Sequence, residues 1–595
     1  MSLKRKFDRL ISRGTGSQLL WLFLLCLVLC LSLYTVSILF FGNLGWQDIV
    51  ALFLDPGCFG GAGKYDVFRL IVALIGCFTF SALLVSVFSN IINNISDNWH
   101  QGRLRYNHKG HIIIFGSHPH SLKMLADMDR FPGKDIVIVT SADVEEFRSL
   151  LERSKLPEDV RKRIILYRGD RDNPEDLRSA CPMTADYIYI LGENDETQHD
   201  NINLQCCKLL GEMCAHADKD IYAYVVLTDF ATMEVISRTN KVMSNSALKV
   251  DYINISEYQA EELIVSGDFM PVIRENDSGC ADFIIFGASD NARTVALTIA
   301  HNAHYPNFTK TRRRTRIRFV AQNAEELMRD LFAAFEPMFR MSHSKLYSDG
   351  TVKEYSPIKE YGDYMDLEWH FYNYPADTGA MQPYYKEFAS ESVKTSRIII
   401  CEDNDKASVH RVLHLPRILR DIPIAVYQEF GNDIVSYAKN TGLYGNITIF
   451  GETLDTTSDA LFLHRTERGR KVNHFYTKMY GDKKDQTEEQ AWYSISEAHK
   501  FSSIYSGNAS VLRNKSTDAD TSDYILCEME HRRWMTSCLL LGYDTLTLEK
   551  SAEARADSEL FRSMKKAYIH PDIAPFDDLS QEEQQKDKQI ISAMK

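Results

Sequence analysis

Residues 110–121 read GHIIIFGSHPHS. The apolar run His111–Phe115 stops on Gly116 and opens into SLKMLADM, a helical stretch, so it predicts a buried strand, a tight turn and a helix. The pattern continues outward. Asp135–Thr140 (DIVIVT), Ile164–Tyr167, Tyr187–Leu191 and Tyr222–Leu227 are further strands, and Gly169-Asp170 and Asn173-Pro174-Glu175-Asp176-Leu177 punctuate them. Short apolar strands alternating with amphipathic stretches predict a parallel, doubly wound sheet with helices on both faces. The plan then recurs: Phe283–Phe286 (FIIF) runs into Gly287-Ala288-Ser289-Asp290-Asn291-Ala292, followed by Ile317–Val320, Trp369–Tyr372, Arg397–Cys401, Ile424–Tyr427 and Ile447–Phe450. Two tandem α/β Rossmann-like units are expected, 111–275 and 276–454, the second with an insertion near 338–365.

A dinucleotide fingerprint needs three glycines, because the backbone must approach a pyrophosphate closely. Only the first survives in each unit, Gly116 and Gly287, with His118 and Ser289 at the second positions. Thr140 and Gln322 stand where an acidic residue would hold a ribose. Gly116, His118, Thr140, Gly287 and Ser289 outline candidate nucleotide clefts. The competing reading is a fold used as scaffold, with Arg168-Gly169-Asp170 a plain turn. No cofactor is required; a nucleotide or a bound cation is what a cleft of this type would take.

N-terminal to these units lie two uncharged apolar runs, residues 17–41 and Leu70–Ile92, each long enough to cross a hydrocarbon core of about 30 Å. Lys4, Arg5, Lys6, Arg9 and Arg13 precede the first, Arg103, Arg105 and Lys109 follow the second, and Lys64 alone lies between them, with Arg69 at an edge. The positive-inside rule then puts both termini in the cytoplasm of a two-pass protein of the inner (plasma) membrane. Between the runs, Trp46–Leu54 (WQDIVALFL) is amphipathic and too short to span, and it ends at Asp55-Pro56-Gly57-Cys58-Phe59. That layout suits a pore helix and filter, with Asp55 and the carbonyls of Pro56, Gly57, Cys58 and Phe59 near an axis. The alternative is a loop between two anchoring helices. Two spans enclose nothing, so a pore requires a homo-oligomer.

The chain changes character after residue 454, becoming helical and rich in His, Tyr and Trp. Tyr524–Tyr543 read YILCEMEHRRWMTSCLLLGY, and His570-Pro571-Asp572-Ile573-Ala574-Pro575-Phe576 follows. Trp492, Trp534 and Tyr543 offer π faces for a base, Arg532 and Arg533 offer forks for a phosphate, and His531 suits either. The plainer reading makes the tryptophans core and pairs the arginines with local acids such as Glu528.

Two short spans, a pore-like loop and tandem units resemble cation channels with cytosolic regulator-of-potassium-conductance (RCK, TrkA-N-like) domains. The matching stretches are GHIIIFG and GDRDNPEDLRSA, while FLDPGCFGGAGKYDVFRL is similar to the Castor/Pollux branch, which lacks a T-V-G-Y-G filter as this chain does. The resemblance implies tetramers with a gating ring. E-H-x-R-W-(x)7-G-Y followed by H-P-x-I-x-P-F-x-x-L resembles the bacterial ryanodine-receptor (RyR) repeat domain. The expected organisation is a basic N-terminus (1–16), a two-span pore (17–94), a linker (95–110), the two RCK units and a mostly helical RyR domain (455–595). The function implied is a ligand-gated cation channel answering a small signalling molecule, a nucleotide messenger of antiphage defence; the alternative is a membrane-anchored sensor or scaffold that does not conduct.

Composition narrows the field. The net charge of −13 (68 basic against 81 acidic residues) disfavours a general nucleic-acid binder, so no nucleic-acid partner is expected. Twelve cysteines without a C-x-x-C pair fit a reducing compartment and no metal module. A mean hydropathy of −0.26 excludes a polytopic transporter. There is no P-loop, no H-E-x-x-H and no catalytic Ser/His/Asp order, so an enzyme, an NAD-dependent one included, is not expected.

Overall fold

The structure, a computed structural model, describes residues 15–594 except for 42–44, 61–64, 194–196, 245–246, 391–392, 430–432, 441–446 and 452–464 and positions 118, 127, 240, 267 and 482. It divides into two compact units, one holding residues up to 105 with 143–145 and the other 106–142 with 146–595.

In the first unit, Thr15–Phe40, Trp46–Leu54 and Asp66–His100 are helices, with a 3-10 turn at Pro56–Cys58. Ile49, Leu52 and Phe53 of the short helix close a small core with Cys30, Phe68, Val72 and Ala73. Gly76 permits that contact, since a Cβ there would stand 2.2 Å from the Phe53 carbonyl oxygen. Asp55 caps its own turn: Oδ1 accepts the Gly57 N–H at 2.8 Å.

The expected two-span pore domain is corrected here. Among the described residues no helix is long and apolar enough to cross a membrane. The long helix opens with Asp66 and Arg69 and closes through Asn93, Asn94, Asp97 and Asn98, so its apolar part is shorter than its length. The basic residues before the first run, and Lys64, lie outside the described residues.

The second unit holds both sheets. β1 (Ile112–Phe115), β2 (Ile136–Thr140), β3 (Ile164–Arg168), β4 (Tyr187–Ile190), β5 (Ile221–Leu227) and β6 (Leu248–Asn254) form one parallel sheet in the order 3-2-1-4-5-6. That order is the doubly wound dinucleotide-fold arrangement. β7 (Asp282–Phe286), β8 (Thr315–Ala321), β9 (His343–Ser348), β10 (Thr351–Tyr355), β11 (Leu367–Asn373), β12 (Ser396–Ile400), β13 (Ile424–Tyr427) and β14 (Ile447–Phe450) form the other. Its core order 11-8-7-12-13-14 repeats the same permutation, with a β9–β10 hairpin added beyond β11. The hairpin is the insertion; its turn is Asp349-Gly350, both at positive φ as a two-residue I′ turn demands. β1 and β7 sit at the centre of their sheets, which is why every residue of IIIF and DFIIF is buried.

The C-terminal region is helical: Arg465–Tyr480, Glu488–Tyr493, Glu497–Ser516, Asp523–Leu540, Leu548–Ala556, Ser558–Lys566 and Gln581–Ala593. Gly469 and Gly507 let the first and third of these cross closely; a Cβ on Gly507 would be 2.7 Å from the Arg468 Cβ.

Buried ion pairs fasten this region to both sheets. Asp251 on β6 accepts from Trp492 Nε1 and Tyr493 OH at 2.9 Å each and pairs with Lys500 at 3.1 Å and Arg470 at 3.2 Å. Arg465 pairs with Glu257 and Glu261. Asp366, just before β11, takes Arg532 at 3.0 Å and His304 at 2.8 Å. Arg238 joins all three parts, donating to the Ala334 and Leu540 carbonyls at two helix C-termini while stacking over Phe335.

Candidate functional site

The six aromatic and basic residues expected to bind a ligand separate into two sets. Trp492 is 0% exposed and Arg532 2% exposed. Both are engaged in the inter-domain pairs just described, Arg532 also with Glu528 at 3.0 Å. The structure therefore places them in the core and not at a cavity. Burial alone would raise the carboxyls of Asp251 and Asp366, but their cationic and hydrogen-bonding partners outweigh it and hold both below the usual carboxylate range.

His531, Arg533, Trp534 and Tyr543 instead meet at one partly open cavity of about 410 Å³, lined by the C-terminal helices and the segments that join them. The local fold explains the meeting. Helix Asp523–Leu540 presents His531 and Trp534 three residues apart on one side, and Gly542, at φ +89°, turns the chain so that Tyr543 returns to the same side. The His531 ring stacks on Trp534 at 5.5 Å, and His570 stands edge-on to Trp534 at 4.8 Å. Phe561 and Tyr543 lie about the same imidazole at 5.9 Å each. Arg533 is held by Glu530, which also takes Arg513 at 2.7 Å. The cations left at the rim are Lys565, exposed over the Phe561 ring, and Lys586, paired with Glu583.

Sequence reasoning missed Lys565, Phe561, His570, Asp572, Lys586, Asp587 and Asn473, all of which line the cavity. The H-P-x-I-x-P-F motif carried a signal for His570, whereas Asp572 stands at one of its open positions. Burial pushes the His531 imidazole down to about 4, with the Ala574 carbonyl opposing. It pushes the Asp572 carboxyl up to about 6, with Glu583 adding to the rise.

The raised Asp572 has a consequence for stability. The folded chain keeps a proton on Asp572 that the unfolded chain, with a carboxyl near 3.9, has released. Stability from this group is full below about pH 4 and is lost as pH rises through 6. Thermal unfolding of Asp572→Asn should decline less between about pH 4 and pH 6.5 than that of the parent chain; parallel curves would contradict the assignment.

The Rossmann clefts are different. Gly116 (φ +105°) and Gly287 (φ +110°) are required because a Cβ would stand 1.9 Å from the Gly192 carbonyl and 2.1 Å from the Cys401 carbonyl. The retained glycines therefore serve strand-end crossings within the chain. In the first Rossmann cleft the Glu193 carboxylate accepts from the Ser117 N–H (2.9 Å), the Ser141 N–H (3.0 Å) and the Thr140 hydroxyl (2.9 Å). These are donors a phosphate or ribose would otherwise use. In the second, Ser289 caps helix Asp290–Asn302 and donates to the Cys401 carbonyl at 2.8 Å. His118 lies outside the described residues. Among the described residues no group of His, Cys, Asp and Glu is placed to hold a metal.

No catalogued protein family matches the chain, and no curated protein does. Among solved structures it is similar to "GsuK bound to ADP", at 14% identity and a TM-score of 0.35, covering 73% of this chain and 96% of that one. It is also similar to the "GsuK RCK domain", at 13% identity and a TM-score of 0.29, covering 58% of this chain and 77% of that one.

Proposed function

We propose that the chain is a non-catalytic small-molecule sensor whose C-terminal cavity takes a nucleotide-type ligand and passes the event to the tandem Rossmann units. The observation that carries this reading is the cavity itself. It combines the faces of Trp534, Tyr543 and Phe561 with Lys565 and Lys586 at the rim, the pairing of π surface and cation that a base and a phosphate require. The first Rossmann cleft has its donors satisfied by Glu193, which favours the C-terminal cavity over it.

A ligand can shift the tandem units only by binding two of their states unequally. Arg465, Arg532 and the Asp251 cluster supply the rigid links through which such a difference would travel. The finer reading makes the output control of cation conduction by a tetrameric ring and the input a messenger of antiphage defence; it is supported by the resemblance of GHIIIFG, GDRDNPEDLRSA and the closing H-P-x-I-x-P-F motif.

The test is calorimetric titration of the full chain with ADP, parent beside Trp534→Ala and Lys565→Ala. Losing a stacking face or a charge-assisted contact should weaken binding by about ten- to a hundredfold. Binding untouched by both substitutions, with both variants folded, would place the ligand elsewhere.

A further inference from the structure

Two polar side chains that line the cavity hold hydrogen-bonding atoms with no hydrogen bond among the described residues, one of them beside a histidine. Asn473, 6% exposed on helix Arg465–Tyr480, lines it, and its side-chain Nδ2 has no hydrogen-bond acceptor among the described residues. Asp587, 8% exposed on helix Gln581–Ala593, lines it too and makes no hydrogen bond among the described residues; His531 Nδ1 is 3.7 Å away. That nitrogen is not a donor. His531 Nε2 gives its hydrogen to the Ala574 carbonyl at 2.8 Å, and burial keeps the ring neutral at ordinary pH, so Nδ1 carries a lone pair. The nearby acid Glu530 is in a different position, satisfied by Ser506, Arg513 and Arg533. Folded chains rarely keep buried polar groups unpaired, and those that remain call for an explanation.

We infer that Asn473 and Asp587 read a hydrogen-bonding edge of the ligand, Asp587 accepting from a ligand N–H and the Asn473 amide donating to a neighbouring ligand acceptor. This rests on the sensor reading and specifies its ligand. The class is a planar heteroaromatic with an N–H donor beside a ring acceptor, as on an aminopurine, stacked against the aromatic wall with its anionic group toward Lys565 and Lys586. Both residues are specificity-determining, because a site built to hydrogen-bond a donor rejects the analogue that lacks it. Burial and Glu530 push the Asp587 carboxyl well up, against the opposing pull of Arg533 and Arg513.

The experiment titrates the full chain with two probes, ADP and purine riboside 5′-diphosphate, which differ only by the 6-amino group. The parent should bind ADP at least about tenfold more tightly. That ratio should fall toward one in Asp587→Leu and persist in part in Asp587→Asn, whose amide oxygen still accepts. If Asp587→Leu does not fold, Asp587→Asn carries the ratio, and Asn473→Leu should weaken both probes alike. Equal affinities in the parent, or a ratio unchanged in the folded Asp587 variants, overturn the inference and leave the sensor reading standing, the two groups then being held by water alone. Failure of both probes to bind the parent overturns the sensor reading and this inference with it.

Discussion

Asp251→Ala should lower the first thermal unfolding transition by more than any other single side-chain truncation in the chain. Asp251 sits at the centre of β6, 3% exposed, with Lys500 and Arg470 paired to it and Trp492 and Tyr493 bonded to it. Removing one partner from a buried ion pair leaves the other charge uncompensated, which typically costs about 3–5 kcal/mol. Here Lys500 retains Glu497 at 3.1 Å and the Val250 carbonyl at 2.7 Å, whereas among the described residues Arg470 retains the Tyr493 hydroxyl at 2.9 Å and the faces of Trp492 and Tyr493. The stranded charge is thus mainly Arg470. Adding Arg470→Met to Asp251→Ala should restore part of the loss, because the pair is then replaced by apolar bulk. Circular dichroism melts and limited proteolysis read the effect. A single mutant that melts with the parent would show that Asp251 does not hold the helical region on the sheet.

The same cluster shows where the sequence is legible and where it is not. The strands of both sheets follow from apolar runs ending in glycine or turn residues, and eleven of them stand where those runs predict. β6 escaped because Lys249 and Asp251 deny LKVDYIN the continuous apolar run of the other strands, and Asp251 is a charge that makes sense only once Trp492 and Lys500 arrive from more than two hundred residues away. The β9–β10 hairpin escaped for a different reason: Ser348-Asp349-Gly350-Thr351 carries a D-G turn signal in plain view, inside a stretch set aside as an insertion.

The cavity was half legible. Helix Asp523–Leu540 is buried on nearly all sides, so the rule that charged residues of a helix face solvent or ligand fails there. Arg532 and Arg533 are adjacent and identical in type, yet one points to Asp366 and the other to the cavity side with Glu530. No local pattern separates them. Asn473 and Asp587 lie on helices distant in sequence, and nothing in either neighbourhood marks a polar residue that will line a cavity. The apolar runs of the first unit were read by length and charge alone, and the described side chains there do not make a span.

Gly116→Ala should disable the first sheet, and the comparison that proves why uses Gly133→Ala beside it. Both glycines have positive φ, +105° and +74°. An L-residue forced into such a conformation pays roughly 1–2 kcal/mol. Gly133 pays that alone, since a Cβ there meets nothing within 4 Å. At Gly116 the added Cβ would overlap the Gly192 carbonyl oxygen at 1.9 Å and its carbon at 2.4 Å. The obstructing atoms are backbone and cannot swing aside. Gly192 is pinned in turn: its own Cβ position is 2.2 Å from His199 Nε2, and that imidazole bonds the Leu191 carbonyl at 2.8 Å and Asp200 at 2.8 Å. Asp200 then receives the Thr228 and Asp229 N–H groups after β5. A shift at Gly116 therefore propagates through the ends of β1, β4 and β5 together. Gly133→Ala should melt within a few degrees of the parent, whereas Gly116→Ala should yield little soluble protein or a transition lowered by well over the strain alone. If the two variants melt alike, the crossing at Gly116 is looser than the geometry requires, and φ strain suffices to explain why glycine stands at the end of β1.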